Sequence, residues 1–151
     1  MPAFEERARC GAPAVEVWKL LYDPERFPAW WAGMDRVETC ADGRVVRYMS
    51  EWPDFAYPTA VTSRAEDGRV VISCLLSDIA HTWTLEPAPE GCAVRVRVEL
   101  PEEEAVRLEP LRDETRASLA RLVALADAMA YDGYRGALEG LVAKEASDAG
   151  V

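Results

Sequence analysis

The sequence predicts an α+β domain in which a curved antiparallel sheet of about seven strands wraps around a long C-terminal helix, with two short helices after the first strand. Three observations carry this. Six consecutive runs rich in Val, Thr, Ile and aromatics fill the middle of the chain, each separated from the next by a short turn-forming segment. After Pro101, Leu108, Leu111, Thr115, Leu119, Leu122, Ala126 and Met129 recur at the helical period. Residues 13–32, between the first strand and the sheet, carry helical spacing interrupted by prolines. A sheet with one apolar face must cover it, and the terminal helix is the only element long enough to do so.

Each element has a local reason. Residues 4–10 alternate weakly and read as the first strand. In "APAVEVWKLLYD", Val15, Trp18, Leu21 and Tyr22 fall at helical spacing, with Pro13 near the start. Pro24 ends that helix, because the residue before a proline disfavours helical geometry. "PERF" starts a second short helix, with Pro28 within it or at its end, and Phe27 anchors the turn. Neighbours on a helix diverge by about 100°, so of Trp30 and Trp31 one is expected to plug the core and the other, Trp31, to edge a pocket.

The strand runs are "RVETC", "RVVRYMSEW", "AYPTAVTSRA", "RVVISCLLS", "AHTWTLEPA" and "CAVRVRVEL", and the joints "ADG", "PDF", "EDG", "SD" and "PEG" supply turn geometry. Cys92, Val94, Val96, Val98 and Leu100 on one face against Arg95, Arg97 and Glu99 on the other predict one buried and one wet side. Acidic residues crowd the start of the terminal helix, where its dipole favours them. Pro110 is expected to break or kink the early part, so that the main helix starts near it, and Gly133 and Gly136 to weaken the continuation. Residues 131–146 therefore read as a C-terminal helical extension, with 137–146 a further short helix or a docked tail, ahead of a frayed "ASDAGV". Residues 1–151 form one domain with its core at about 3–130.

Composition bounds the function. The 151 residues are half apolar and 29% charged, as in globular proteins. A formal charge of −10 argues against a nucleic-acid partner, which requires a net basic face. Cys10, Cys40, Cys74 and Cys92 form no C-x-x-C pair, and one histidine cannot complete a standard zinc set. No apolar leader and no run of about 18 apolar residues is present. The expectation is a cytoplasmic protein with reduced, mostly buried thiols and no membrane span.

No Walker loop, G-x-G-x-x-G, G-x-S-x-G or H-E-x-x-H motif occurs. The candidates are single residues. His81 in "IAHTWTL" shares a face with Ile79, Trp83 and Leu85, either as a hydrogen-bonded core or rim histidine or as a pocket acid/base. Arg64 shares a strand face with Pro58, Ala60 and Thr62, either solvated at a strand end or directed into a cavity to stabilise an enolate or carboxylate. In "VVISCLLS", Ser73 or Cys74 points inward. Tyr48, Trp52 and Tyr57 flank "SEWPDF", a lid or a packed corner. Ser118 interrupts the buried stripe of the long helix, either as an ordinary tolerated polar residue or as a cavity-facing donor. Tyr131 and Tyr134 cap one end of the barrel or mark a dimer contact. "PEEEAVRLEP" reads as a solvated helix start, not a metal site.

"GAPAVEVWKLLYDPERFPAWWAG" resembles the opening of START-like proteins (helix-grip, SRPBCC), and with the strand count and the long terminal helix the likeness covers nearly all of 3–130. Within that superfamily, "TAVTSR" and "ETRASLARL" are similar to segments of single-domain bacterial polyketide aromatase/cyclases. The resemblance implies a cavity arginine at Arg64 and an inward polar residue at Ser118. The family's tyrosine after the second helix falls on or near Met34, and its inward tryptophans on Pro58 and Ala60, so this sequence lacks those groups. The implied activity is aldol cyclisation and dehydration of a poly-β-keto chain, with Arg64 stabilising the enolate, His81 moving protons and Ser118 orienting a carbonyl or water. The implied cavity wall includes Phe27, Trp31, Met34, Tyr48 and Trp52, and on the sheet and helix Tyr57, Thr62, Cys74, Trp83 and Leu122. No metal or redox cofactor is implied. The implied partners are a hydrophobic small molecule such as a polyketide, and a polyketide synthase or a second copy of the chain. The alternative is a non-catalytic carrier or sensor of a lipid-like or aromatic ligand.

Overall fold

A computed structural model describes residues 1–149, except for the side chains of Tyr134 and of 145–149. The expectations for Tyr134 and for the last two residues lie outside that description. The chain runs β1 (Ala3–Cys10), α1 (Ala14–Leu21), a 3-10 turn (Pro24–Arg26), α2 (Phe27–Trp30), β2 (Met34–Thr39), β3 (Val45–Met49) and β4 (Trp52–Arg64). It continues through β5 (Arg69–Cys74), β6 (Ala80–Ala88), β7 (Gly91–Glu99), a second 3-10 stretch (Glu102–Arg107) and α3 (Leu108–Ala149). All seven strands join one sheet in the order β1-β7-β6-β5-β4-β3-β2, with every pairing antiparallel. This is the expected helix-grip arrangement.

The period-two pattern of β7, held between β1 and β6, supplies a fully buried row of the core that runs on to Leu100. Val94, Val96, Val98 and Leu100 have no solvent exposure, and each such side chain contributes roughly 1.5–3 kcal/mol by leaving water. Gly91 opens β7 with φ +129°, and a Cβ there would overlap the Cys10 carbonyl on β1. Only glycine permits that approach.

α3 crosses the concave side on Leu111, Thr115, Leu119, Leu122 and Ala126, all buried. Polar ties fix its position. Arg116 Nε donates to Glu6 of β1 at 2.8 Å, and Asp127 accepts the Ala12 backbone N–H at 2.9 Å. Pro110 sits within the first turn of α3, where no intrahelical N–H is needed, so the main helix starts beside it, as expected, after the 3-10 stretch. Residues 131–146 are helical, but the expected interruption before 137–146 does not occur: α3 is a single 42-residue helix that passes through Gly133 and Gly136. A glycine costs a helix only about 1 kcal/mol, which the neighbouring Ala, Leu, Glu and Arg residues offset.

The segment "PDF" is not a joint between strands. The turn after β3 is Ser50–Glu51, because Met49 already pairs with Trp52. Trp52–Phe55 are therefore the start of β4, neither a lid nor a corner.

Candidate functional site

The open end of the sheet, between β3, β4, the β5–β6 turn and the first turns of α3, holds two connected spaces. An inner chamber of about 60 Å³ is lined by Trp31, Arg47, Cys74, Ser77, Ile79 and His81. An outer groove of about 680 Å³ is lined by Gly33, Ser50, Glu51, Trp52 and Pro110 among others. Met49, Tyr57, Arg107, Leu111 and Glu114 border both. Ring-sized ligands fit the groove; the chamber admits only a few atoms.

Arg47 is the central charge. Alternation on β3 turns Val45 and Arg47 to the concave side, and Arg47 is only 8% exposed. Its Nε donates to Thr59 Oγ1 at 2.8 Å, and Thr59 in turn donates to the Tyr57 carbonyl. Its guanidinium carbon lies 4.8 Å from the Trp31 ring centre. Among the described residues no carboxylate lies within salt-bridge distance of it. Burial works against its charge, with Cys74 and Glu114 opposing that effect; guanidinium nonetheless stays protonated in proteins.

Glu114 comes from α3, one turn from Leu111, and accepts the Trp31 Nε1–H at 3.1 Å. Burial raises its pKa above the usual carboxylate range, against the pull of that hydrogen bond and of Arg47 and Arg107. His81 packs edge-on against Trp31, with ring centres 5.1 Å apart. Burial, then Arg47 and Arg107, push its pKa down to about 3, so the imidazole is neutral. Cys74 closes the chamber beside Ser77. Burial opposes its thiolate, but the Ser77 hydroxyl, the Ser77 and Leu76 backbone N–H groups and Arg47 hold its pKa below the ordinary value.

The structure thus gathers Trp31, His81, Cys74, Tyr57 and, at the groove rim, the 60% exposed Trp52. It separates the others. Arg64 and Thr62 are exposed, since the face of β4 that turns inward is Tyr57, Thr59 and Val61. "TAVTSR" mixes small and polar residues on both faces, so alternation could not tell which face is buried. Ser118 is buried but fully used: it accepts the Ala32 N–H at 2.9 Å and donates to the Glu114 carbonyl at 2.8 Å. Tyr48 faces the convex side, under the Arg36 guanidinium at 3.7 Å. Phe27, Met34, Trp83 and Leu122 belong to the solid core and line neither space.

Trp30 and Trp31 also differ from the helical expectation. Trp31 leaves the helix with extended backbone, ψ 112°. Their rings stack at 5.6 Å instead of diverging. Trp30 Nε1 donates to the Leu20 carbonyl at 2.9 Å, which makes it the core plug, while Trp31 forms the chamber wall.

Sequence reasoning missed Arg47, Glu114 and Arg107. One signal existed: in "RVVRYMSEW" an arginine stands on the face shared by Val45 and Met49. The adjacent Val46 and Tyr48 made the opposite face look equally apolar. Glu114 carried no signal, because it resembles the solvated acids around it.

The chain belongs to the family described as "Polyketide cyclase / dehydrase and lipid transport", whose pattern it matches over residues 1–144. No curated protein matches it. Among solved structures it is similar to the di-domain ARO/CYC BexL from the BE-7585A biosynthetic pathway, with 17% identity and TM-score 0.70, over 84% of this chain and 47% of that one. A START superfamily protein from Mycobacterium smegmatis aligns with 13% identity and TM-score 0.64, over 86% of this chain and 97% of that one. An uncharacterised protein from Bacillus thuringiensis aligns with 12% identity and TM-score 0.67, over 82% of this chain and 97% of that one. At these identities the likenesses establish the fold alone.

Proposed function

We propose that this chain binds an apolar, enolisable polycarbonyl compound in the outer groove and promotes its aldol cyclisation and dehydration, as a polyketide cyclase-like protein. One observation carries the reading: a buried guanidinium with no carboxylate partner faces a carboxyl group that burial keeps toward its protonated form. An uncompensated buried charge is costly unless a ligand uses it. Arg47 takes the role expected of Arg64, donating to the oxygen that becomes an enolate. Glu114 takes the proton-transfer role, giving and receiving a proton at carbon or at the departing hydroxyl. The neutral His81 is a hydrogen-bonding wall, not a base. Met49, Trp52 and Leu111 exclude water from the ring system. The fold likeness to an ARO/CYC protein agrees with this reading.

A carrier or sensor of the same ligand class is the second reading, favoured by the small chamber and its neutral imidazole. Tryptophan fluorescence with a panel of aromatic polyketides and fatty acyl compounds, alongside turnover of a poly-β-keto thioester, separates the two. For the cyclase, quenching saturates and Glu114→Gln keeps binding while turnover drops about 100-fold. Saturable binding without wild-type turnover leaves the carrier. Absence of both removes the groove reading.

A further inference from the structure

We propose that Cys74 is a nucleophilic thiol that captures α,β-unsaturated carbonyl compounds in the inner chamber, with Arg47 holding the oxygen on which charge develops. The proposal rests on the same cavity as the ligand-binding reading but not on cyclase chemistry.

Two independently placed groups carry it. Cys74 ends β5 and is 5% exposed, its exposed surface belonging to the chamber wall. Arg47 arrives from β3, is 8% exposed, and its Nε is bound to Thr59. Among the described residues its two terminal NH₂ groups meet no carboxylate, and Arg47 and Cys74 line the same chamber. A nucleophile beside an unpaired oxyanion donor is the pairing that conjugate addition requires. The β5–β6 turn adds Ser77, whose hydroxyl and backbone N–H approach the sulfur and favour the thiolate.

The other thiols lack this setting. Cys10 lies 3.4 Å from the Asp127 carboxylate, and burial first, with that carboxylate, pushes its pKa up to about 12. Cys92 is buried and likewise raised. Cys40 is half-buried at the end of β2, away from the chamber.

The step balances without an oxidant. The Cys74 thiol loses its proton to water, and the thiolate attacks the β-carbon of the enone, forming a C–S bond. The C=C electron pair moves to the carbonyl oxygen, giving an enolate held by Arg47. The α-carbon then takes a proton from Glu114 or water, leaving a neutral thioether.

The test uses the whole chain and acrolein, the smallest enal, as probe at pH 7, because the chamber admits only a few atoms, with intact mass and peptide mapping against time. Cys74 is expected to label about tenfold faster than Cys40 although it is the less exposed of the two. Cys74→Ser removes the fast adduct. Arg47→Met slows Cys74 by about tenfold and leaves Cys40 unchanged; if that variant misfolds, Ser77→Ala must slow Cys74 in the same direction. Faster labelling of Cys40, labelling of Cys74 only in urea, or a rate indifferent to Arg47 and Ser77 overturns the proposal. Failed labelling with intact fluorescence quenching removes this proposal alone. Lost quenching with intact labelling removes only the groove reading.

Discussion

Trp31 touches three of the groups that define the chamber: Arg47 over its face, His81 at its edge, and Glu114 on its indole N–H. Two single-residue outcomes follow from their burial. His81 has a folded pKa of about 3 against an ordinary 6.5. Between those values the unfolded chain takes up a proton that the folded one refuses. Stability from this group is thus fully present above 6.5 and is lost as pH falls toward 3, by at most about 1.4 kcal/mol per pH unit. Urea melts at pH 7 and 5 should show a smaller decline for His81→Asn than for wild type; equal declines would mean that the imidazole is not buried neutral. Arg47→Met removes a buried charge that lacks an ionic partner, while Thr59 keeps its bond to the Tyr57 carbonyl. Folding stability should hold or rise, while affinity for enolisable or carboxylate ligands falls tenfold or more. A loss above about 2 kcal/mol would make Arg47 a structural pillar. Its role was half legible, as a charge on an otherwise apolar strand face; its unpaired state depends on what other strands bring near it.

At the scale of elements, the contact between α3 and the turn after α2 decides where the groove ends. Ser118 binds the Ala32 N–H, and Trp31 binds Glu114 four residues earlier on the same helix face. Ser118→Ala orphans that backbone donor, which costs about 1–3 kcal/mol. Thermal melts should drop accordingly, with ligand affinity per folded molecule unchanged. Weaker binding at unchanged stability would restore the cavity-donor role that the resemblance implies for Ser118. The strands and helices themselves were readable, because alternation, proline breaks and turn residues act locally. The inward face of β4 was not, since Ala60, Val61, Thr62 and Ser63 suit either side and only pairing with β3 and β5 fixes which one is buried.

At the scale of the whole molecule, α3 belongs to two environments. Its first turns close the sheet, whereas 131–133 and 135–144 are exposed along their length. A chain ending at Asp132 should therefore retain a cooperative melt within about 1 kcal/mol of the full chain, because none of the described side chains beyond it is buried. A collapse of the transition would show that the far part of the helix supports the core. Among the described residues no helix is long and apolar enough to cross a membrane.

The amino-acid order by itself determined the seven-strand sheet, the helix–break–helix after β1, the long terminal helix and the family likeness. These arise from periodicity and turn chemistry within a few residues of each position. Tertiary structure alone decided that Arg47 and Glu114, not Arg64 and Ser118, face the cavity, and that His81 is neutral. Those properties depend on which distant groups share a desolvated space, and burial and Coulomb forces act across space without regard to order along the chain.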